Sequence, residues 1–357
     1  MSKVGKATWI HHLPKEGPDA VRQVARRLAD AGFDLLIPCI KNPDGYIDYH
    51  GKVANIRPEF QEWDPLRVLT EEARKVGLKV HPWCCVFPEG DGSKLLQEHP
   101  EYVARDPSGE PIGAGAYKNQ RPQMPRWACS SRPEVQDYEY AIYEELLNNY
   151  DIDGVHLDYI RYQHPASGQY SCYCPYCQEA FKKETGVEPF DPATDVLTQE
   201  WAGWVDWPSS TDVATLEWVA WIDWKTANIT RFVERLSEAA RAKGKEVSAA
   251  VYPGWPSCIV DIGQDWEEWA RQGLVDFMFP MNYTMSTKIA IKRARNHVAA
   301  LNGSGVPLWE GLWNRSALST PMLMQQVHGV LAQGAQGIVI FEYYGIDDED
   351  LQALSQV

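Results

Sequence analysis

Three short apolar runs of the sequence end in a carboxylic acid that is followed by aromatic residues. The run DGVHLDYIRY contains Asp158, LWEGLW contains Glu310, and IFEYY contains Glu342. Two carboxyl groups at one site can cleave a glycosidic bond, because one protonates the leaving oxygen while the other attacks the sugar or activates a water molecule. We therefore take these three residues as candidate catalytic groups.

Polar and aromatic residues near the ends of such runs are suited to bind the substrate of this reaction. Aromatic faces stack on the C–H faces of sugar rings, and polar side chains orient hydroxyl groups or tune the pKa of a carboxyl group. The candidate substrate-binding residues are His81, Trp83, Tyr159, Arg161, Asn282, Tyr283 and Trp313. Trp309 alternates with Glu310, so we expect its indole to face the helices while Glu310 faces the site.

Each candidate also has a purely structural interpretation. Asp158 and Glu310 could each be an ion-pair partner of Arg161. Glu342 could simply precede the start of a solvated helix. The residues that could instead be core side chains are His81, Trp83 and His156. We favour catalysis because three acidic residues occupy the same kind of position in a repeated pattern.

Eight β-type runs alternate with helical patterns, which is typical of parallel βαβ units. The runs cover 6–12, 33–40, 78–87, 153–160, 246–253, 275–283, 306–313 and 337–344. The helical patterns cover 18–32, 64–77, 134–149, 217–243, 265–272, 287–301 and 319–333. These repeats predict an α/β fold, a single (β/α)8 TIM barrel over residues 1–357. Its active site would lie at the C-terminal ends of the strands.

Two connections between the predicted strands are long. They cover 88–133 after strand three and 163–216 after strand four. Long loops at this face of a barrel usually carry function, and both follow strands that contribute candidate residues.

The segment SCYCPYCQEAF places Cys172, Cys174 and Cys177 close together. Thiolates in this C-x-C-x-x-C spacing converge on one metal more easily than they pair as disulfides, whose geometry is restrictive. A structural zinc needs four ligands, and Cys129 in the other long loop is the best geometric choice for the fourth. The other candidates are Cys39, Cys84, Cys85 and Cys258. The sequence thus predicts a structural zinc and no catalytic cofactor, with free thiols or a redox pair as the alternative.

The charge balance restricts the kinds of partner. The chain has 49 acidic and 34 basic residues, and its formal net charge of −15 argues against a nucleic acid or an anionic membrane. A carbohydrate substrate remains compatible, and homo-oligomer formation stays open. The sequence contains no run long enough to span a membrane, and its N-terminal segment lacks the apolar region of a signal peptide. Together with the thiol cluster, this favours a cytoplasmic location.

The 15 tryptophans could be core residues or platforms for sugar rings. Trp221 and Trp224 belong to a stripe with a spacing of three, which predicts packing on a helix. Trp207 precedes a proline in WPSS, and we expect it to be exposed near the barrel mouth.

The run DGVHLDYIRY resembles the strand-four signature of the glycosyl-hydrolase-like family 10, bacterial barrel proteins of which some act on glycan chains. A looser likeness extends through HPW after strand three and MNY on strand six. The resemblance implies a catalytic role for the matching aspartate, Asp158. A distant likeness to family 18 chitinases does not extend to their mechanism, because Ile160 stands where their catalytic glutamate would be.

The cysteine loop is similar to the zinc motif of the family 42 β-galactosidases, and this likeness continues through CQEAFKKETG. It implies that Cys129 is the fourth ligand and that the metal braces a loop without taking part in catalysis. Those enzymes carry an acid/base carboxylate at the end of strand four and a nucleophilic glutamate at the end of strand seven, which match Asp158 and Glu310. The aspartate at strand four departs from that pattern.

We therefore expect a glycoside hydrolase in which Asp158 and Glu310 form the working pair, with Glu342 as a replacement for either. Retention of configuration is the expected outcome. One alternative is a barrel that binds carbohydrate without cleaving it, which a broken carboxylate pair would favour. The other is a metal-dependent hydrolase of a different bond, and its ligands would be His11, His12, His81 and Asp158.

Overall fold

The strands lie where the sequence predicts them. The computed structural model describes residues 3–113, 125–164, 171–189, 213–314 and 318–357. In chain order the barrel strands are β1 (Gly5–Ile10), β2 (Leu35–Lys41), β3 (Lys79–Val80 and Trp83–Cys85), β4 (Gly154–Asp158), β5 (Glu246–Val251), β6 (Phe277–Pro280), β7 (Trp309–Trp313) and β8 (Gly337–Phe341). Two further short strands, Tyr46–Ile47 and Asn55–Ile56, pair with each other in the connection after β2.

Neighbouring barrel strands pair in parallel, and the sheet nearly closes on itself. β1 pairs with both β2 and β8, and the pairing continues in chain order from β2 to β6. The seam between β6 and β7 is formed by the parallel bridges Met278–Leu308 and Met281–Gly311. The predicted (β/α)8 barrel is therefore confirmed. We call the face at the C-terminal ends of its strands the barrel mouth.

Helices form the outer layer of the barrel. They are α1 (Pro18–Asp30), α2 (Pro65–Val76), α3 (Lys94–Glu98), α4 (Pro133–Asn149), α5 (Pro175–Thr185), α6 (Val213–Ala242), α7 (Ser257–Ile262), α8 (Trp266–Arg271), α9 (Thr287–Ala300), α10 (Thr320–Leu331) and α11 (Asp348–Leu354). The ends of α2 show the local causes. The Asp64 side chain caps its first turn by accepting a hydrogen bond from the Arg67 N–H, and Gly77 ends it in the left-handed region at φ 76°.

Side chains of the strands alternate between the barrel interior and the helical layer. On β4, Val155 and Leu157 belong to the core beneath the helices, whereas His156 points inward. Nε2 of His156 accepts a hydrogen bond from the Trp9 indole at 3.0 Å, so Nδ1 carries the proton and donates to Ser248 at 2.9 Å. His156 is thus a buried core histidine. Asp158 has the same parity and points inward at the top of the strand.

The side chains of β7 point in the opposite directions from those that the sequence predicts. The Trp309 ring packs inside the barrel and stacks on Phe279 with 5.6 Å between ring centroids. Gly5 and Gly337 on the nearby strands make this possible, because a Cβ atom there would lie 2.1 Å and 2.6 Å from atoms of the Trp309 ring. Glu310 consequently points into the helical layer. The predicted orientations of Trp309 and Glu310 are therefore wrong.

The tryptophan stripe of α6 packs as its spacing predicts. Trp221 and Trp224 are buried with 5.5 Å between their ring centroids, and Trp221 also contacts Phe181 of α5. Trp207 lies outside the described residues. Among the helices that the structure describes, none combines the length and the apolar character needed to cross a membrane.

Candidate active site at the barrel mouth

Asp158 is a nearly buried carboxylic acid at the end of β4, with 5% of its surface exposed. Its Oδ1 accepts a hydrogen bond from the Tyr159 N–H at 2.6 Å. Burial raises the pKa of Asp158 to about 6, while the charge of Arg161, this N–H and the Trp83 side chain oppose the rise. A carboxyl group with such a pKa can exchange a proton near neutral pH, as general acid–base catalysis requires.

The chain turns sharply directly after Asp158. Tyr159 has a φ of 51°, in the left-handed region that is strained for a residue with a Cβ atom. Two residues later, the guanidinium carbon of Arg161 lies 4.6 Å from the centroid of the Tyr159 ring. Strained turns persist only where the surrounding structure holds them, and they concentrate at functional sites.

Aromatic rings surround Arg161 in place of carboxylates. Its guanidinium carbon lies 5.5 Å from the Trp127 ring and 5.8 Å from the Tyr252 ring. Arg161 is 8% exposed, and its Nε is buried without a hydrogen-bond partner among the described residues. A buried cation without an ion pair is costly unless a ligand contacts it. Arg161 can therefore bind polar substrate groups and stabilise the ionised form of Asp158.

Three of the predicted aromatic residues line the mouth. The Trp83 ring stacks on His11 at a centroid distance of 6.0 Å. Tyr283 is half-buried, and burial, followed by the negative charge of Asp158, raises the pKa of its hydroxyl. Trp313 ends β7 with inward alternation and is also half-buried. Flat apolar rings of this kind are suited to stack on sugar rings.

Glu342 provides a second carboxylate at the mouth, between β8 and β1. It is 6% exposed, and its buried Oε2 has no hydrogen-bond partner within the described part of the chain. Burial lowers the pKa of His12, which follows β1, and the negative charge of Glu342 opposes this shift. Burial raises the pKa of Tyr344, and the same charge adds to that rise. Asn314, directly after β7, is likewise buried and finds no described partner for either polar atom of its side chain. Unpartnered buried polar atoms are uncommon in proteins, and a bound substrate or water would satisfy them.

Glu310 lies away from the mouth, fully buried behind β7. Its Oε1 is 2.8 Å from Nδ1 of His297 on α9, and its Oε2 accepts a hydrogen bond from Nδ2 of Asn282 at 2.9 Å. Nε2 of His297 donates to the Pro253 carbonyl at 2.9 Å. The expectation that Glu310 and Asn282 face the substrate is therefore wrong, because both side chains are bound within the helical layer.

His81 lies in the barrel interior at the end opposite the mouth. Its Nδ1 is 2.9 Å from the Ser248 hydroxyl, and its Nε2 is 3.1 Å from a carboxylate oxygen of Glu246. Glu246 begins β5 and also binds Lys79 at the start of β3. The structure thus places His81 away from the mouth, contrary to the expected position, because the residue precedes the strand end by several positions, each of which adds about 3.3 Å of height.

The ligand set of the metal-dependent alternative does not come together. His11 stacks on Trp83 at the mouth, whereas His81 contacts residues at the start of β5. Within the ranges that the structure describes, one group of three or more metal-binding side chains occurs, and it consists of cysteines.

The four predicted metal-binding cysteines do come together. The Sγ atoms of Cys129, Cys172, Cys174 and Cys177 are buried and lie within 4.8 Å of one another. Cys129 Sγ is 3.3 Å from Cys177 Sγ and 3.6 Å from Cys174 Sγ. A tetrahedral zinc with Zn–S bonds of about 2.3 Å places its sulfurs about 3.8 Å apart, so this set of thiols fits such an ion.

The cysteine cluster joins the two long loops beside the mouth. Cys129 lies in the connection after β3, two residues beyond Trp127, and the other three cysteines follow β4. The Arg132 guanidinium also links these loops, because it lies between the rings of Tyr102 and Tyr176 at 4.7 Å and 4.6 Å. The cluster therefore restrains the loop that carries Trp127 to the mouth.

Sequence reasoning overlooked three residues of the mouth. Tyr252 follows β5 and Asn314 follows β7, so their position at strand ends was an available signal. Trp127 lies in an irregular loop, where no periodicity indicates which residue reaches the site. Only its proximity to Cys129 in the sequence pointed to it.

Known proteins resemble this chain over most of its length. A family model described as Glycosyl hydrolase-like 10 matches residues 5–318. The S-layer-related protein of Niallia circulans is 26% identical over 257 residues, which cover 66% of this chain and 15% of that protein. Glycosyl hydrolase YngK of Bacillus subtilis strain 168 is 28% identical over 164 residues, which cover 45% of this chain and 28% of that protein. The chain thus spans less than a third of the length of these relatives.

Solved structures share the fold at much lower sequence identity. The β-galactosidase from the psychrophilic Marinomonas ef1 superposes with a TM-score of 0.66 and 12% identity, covering 99% of this chain and 58% of that chain. At this level of identity, the similarity establishes the barrel fold alone.

Proposed function

The chain belongs to the glycosyl hydrolase-like 10 family, and from this premise we propose that it cleaves glycosidic bonds of a carbohydrate at the barrel mouth. The observation that carries the proposal is the state of Asp158. This carboxyl group lies at the end of β4, and its pKa is raised to about 6. Arg161, whose guanidinium lies among aromatic rings, is beside it.

Asp158 is proposed as the general acid and base. A general acid must hold a proton at the working pH, and burial gives Asp158 this property without removing it from the mouth. The opposing charge of Arg161 keeps the ionised form accessible for the return of the proton. Both protonation states are needed if the group first donates a proton and then accepts one from water.

Glu342 is proposed as the second carboxylate, in place of Glu310. Its buried Oε2 has no hydrogen-bond partner among the described residues, so it can contact a substrate. Both oxygens of Glu310, by contrast, are engaged by His297 and Asn282. In this proposal Glu310 is a structural residue that fixes β7 to α9.

The predicted residues Trp83, Tyr159, Tyr283 and Trp313 are proposed to hold sugar rings, and Arg161 to bind their hydroxyl groups. Trp127, Tyr252 and Asn314 extend this set, since all three lie beside these groups or at strand ends. The cysteine cluster is proposed to bind a structural zinc, which would brace the loops and leave the chemistry to the carboxyl groups.

Retention of configuration is the proposed stereochemical outcome. In a retaining enzyme Glu342 would attack the anomeric carbon and form a glycosyl ester, which water then hydrolyses with Asp158 as base. This outcome requires carboxyl groups about 5–5.5 Å apart in the substrate complex, whereas an inverting pair is separated by about 6.5–9.5 Å.

The test is an assay of the wild type, Asp158→Asn and Glu342→Gln against aryl glycosides and neutral oligosaccharides. Proton NMR of the first products shows which anomer forms. Turnover by the wild type that is lost in both variants supports the proposal. Binding of oligosaccharides without turnover would instead identify a sugar-binding barrel, which the outward orientation of Glu310 favours as the second candidate.

A further inference from the structure

A cavity of 620 Å³ lies on the mouth side of the barrel, and Tyr343 and Tyr344, the two residues after Glu342, belong to its lining. The connections after β1, β2 and β8 form its walls together with α1. The lining residues that matter here are His12, Lys15, Glu16, Asp44, Arg57 and Tyr344. Its volume falls within the range of about 300–1,000 Å³ that is usual for small-molecule sites.

Tyr344 forms a rigid aromatic platform in this cavity. Its ring stacks on His12 with 4.5 Å between centroids and an angle of 12°, and its hydroxyl donates a hydrogen bond to the His12 carbonyl at 2.9 Å. The residue remains 45% exposed even though the imidazole covers part of the ring. An exposed aromatic face that is held in one orientation is suited to stack on the apolar face of a sugar ring.

The cations of the cavity are already neutralised. Arg57 binds both oxygens of Asp44, at 2.8 and 3.1 Å, and donates from Nε to Asp48 at 2.6 Å. Lys15 is paired with Glu59. Glu16 has no ion pair among the described residues, so the available charge is negative. The cavity therefore disfavours phosphates and uronic acids, and it suits an uncharged ligand with many hydroxyl groups.

The cavity also adjoins the proposed catalytic carboxylate. Glu342 directly precedes Tyr343 and Tyr344, which both line the cavity, and its negative charge also reaches His12 on the neighbouring wall. We infer that the cavity is a subsite for an uncharged sugar unit of an oligosaccharide, stacked on Tyr344 next to the bond that is cleaved. This inference rests on the proposed function. It adds that the substrate is uncharged and that one of its sugar units binds on the side of the mouth formed by the connections after β1, β2 and β8.

The experiment measures binding to the full chain carrying Asp158→Asn, which blocks turnover. The probes are cellotriose, maltotriose, β-1,4-galactotriose and triacetylchitotriose, with trigalacturonic acid as the acidic counterpart. Calorimetry gives the affinities, and a crystal structure with the tightest trisaccharide locates its rings. We expect a neutral trisaccharide to bind with one ring on Tyr344, and trigalacturonic acid to bind at least tenfold more weakly.

Two substitutions in the Asp158→Asn background test the platform. Tyr344→Ala removes the ring and should weaken trisaccharide binding about tenfold, equivalent to about 1.4 kcal/mol. Tyr344→Phe keeps the ring and should stay within about threefold. Tyr140→Ala is the matched control, because this half-buried tyrosine lies on α4 over Arg235, outside the cavity.

The outcomes separate the inference from the proposed function. Unchanged affinity in Tyr344→Ala, a bound trisaccharide with every ring outside the cavity, or preferential binding of trigalacturonic acid overturns the subsite while leaving the glycosidase proposal intact. If no trisaccharide binds and the wild type cleaves no glycoside, the proposed function fails together with the subsite.

Discussion

The guanidinium carbon of Arg161 lies 4.6 Å from the centroid of the Tyr159 ring, and in the same turn the Asp158 carboxylate accepts a hydrogen bond from the Tyr159 N–H. Arg161 has no carboxylate within hydrogen-bonding distance in the described residues, and cation–π contacts with three rings take the place of an ion pair. Its positive charge thus remains available to Asp158 and to a substrate.

Asp158→Asn should reduce kcat/KM on oligosaccharides by about 10²–10⁴-fold, because general acid–base catalysis is lost. An aryl glycoside with a strongly acidic phenol needs no protonation of its leaving group, so this variant should retain far more of its glycosylation rate on 2,4-dinitrophenyl glycosides. Asp19→Asn, at an exposed position of α1, is the control. Equal losses on both substrates would contradict the acid/base role.

In a plot of kcat/KM against pH, the alkaline fall should lie near pH 6, because Asp158 loses there the proton that it donates. The Arg161 charge lowers the pKa of Asp158, so Arg161→Gln should move this fall to higher pH by about 1 unit. Arg161→Lys keeps the positive charge and should shift the profile less. A profile that does not move in Arg161→Gln would assign the titration to another group.

Asp158 should also make stability depend on pH in an identifiable direction. The folded state raises the pKa of this acid above its unfolded value, so the folded state binds the proton more tightly. Stability contributed by the protonated form is therefore lost as the pH rises from about 4 to 6. The wild type should therefore lose about 2 kcal/mol of unfolding free energy between pH 4 and pH 7 relative to Asp158→Asn, which has no proton to lose there.

Urea unfolding of both proteins at pH 4 and pH 7 measures this difference. Asp19→Asn should show no comparable change, because its carboxylate is 91% exposed. A constant difference between Asp158→Asn and the wild type at the two pH values would mean that Asp158 is not desolvated in the folded protein.

Loss of one cysteine ligand should release the metal and loosen the mouth. We expect about one zinc per chain in the wild type by mass spectrometry, and much less in Cys174→Ser, with a fall in Tm of about 5 °C or more. Cys258→Ser replaces a buried cysteine outside the cluster and should keep the metal. Zinc in neither protein would contradict the assignment of the cluster.

Glu310→Gln and Glu342→Gln should have opposite effects. Glu310→Gln weakens a buried contact with His297, so it should cost about 3 kcal/mol of stability and leave kcat/KM within about tenfold. Glu342→Gln should abolish turnover with little change in stability, because its Oε2 has no described partner to lose. Denaturant unfolding and steady-state kinetics on both variants check this. The reverse pattern would restore Glu310 as the catalytic partner.

The sequence by itself determined the barrel and the end at which to seek the site. Short apolar runs mark the strands, and these runs come in regular succession with helical patterns. The position of Asp158 and Glu342 at strand ends follows from this local pattern. The spacing of Cys172, Cys174 and Cys177 likewise limits them to one locality, because the intervening chain is too short to separate them.

Tertiary structure alone decided which side chains meet. Glu310 points outward because Gly5 and Gly337, far away in the sequence, leave room inside the barrel for Trp309. His81 lies too deep because it precedes Cys85, the last residue of β3, by four positions. Trp127 reaches Arg161 from an irregular loop, whose sequence has no periodic pattern that would predict the direction of its side chains. Local sequence specifies the alternation of a strand, but the space on its two sides is set by residues that are distant along the chain.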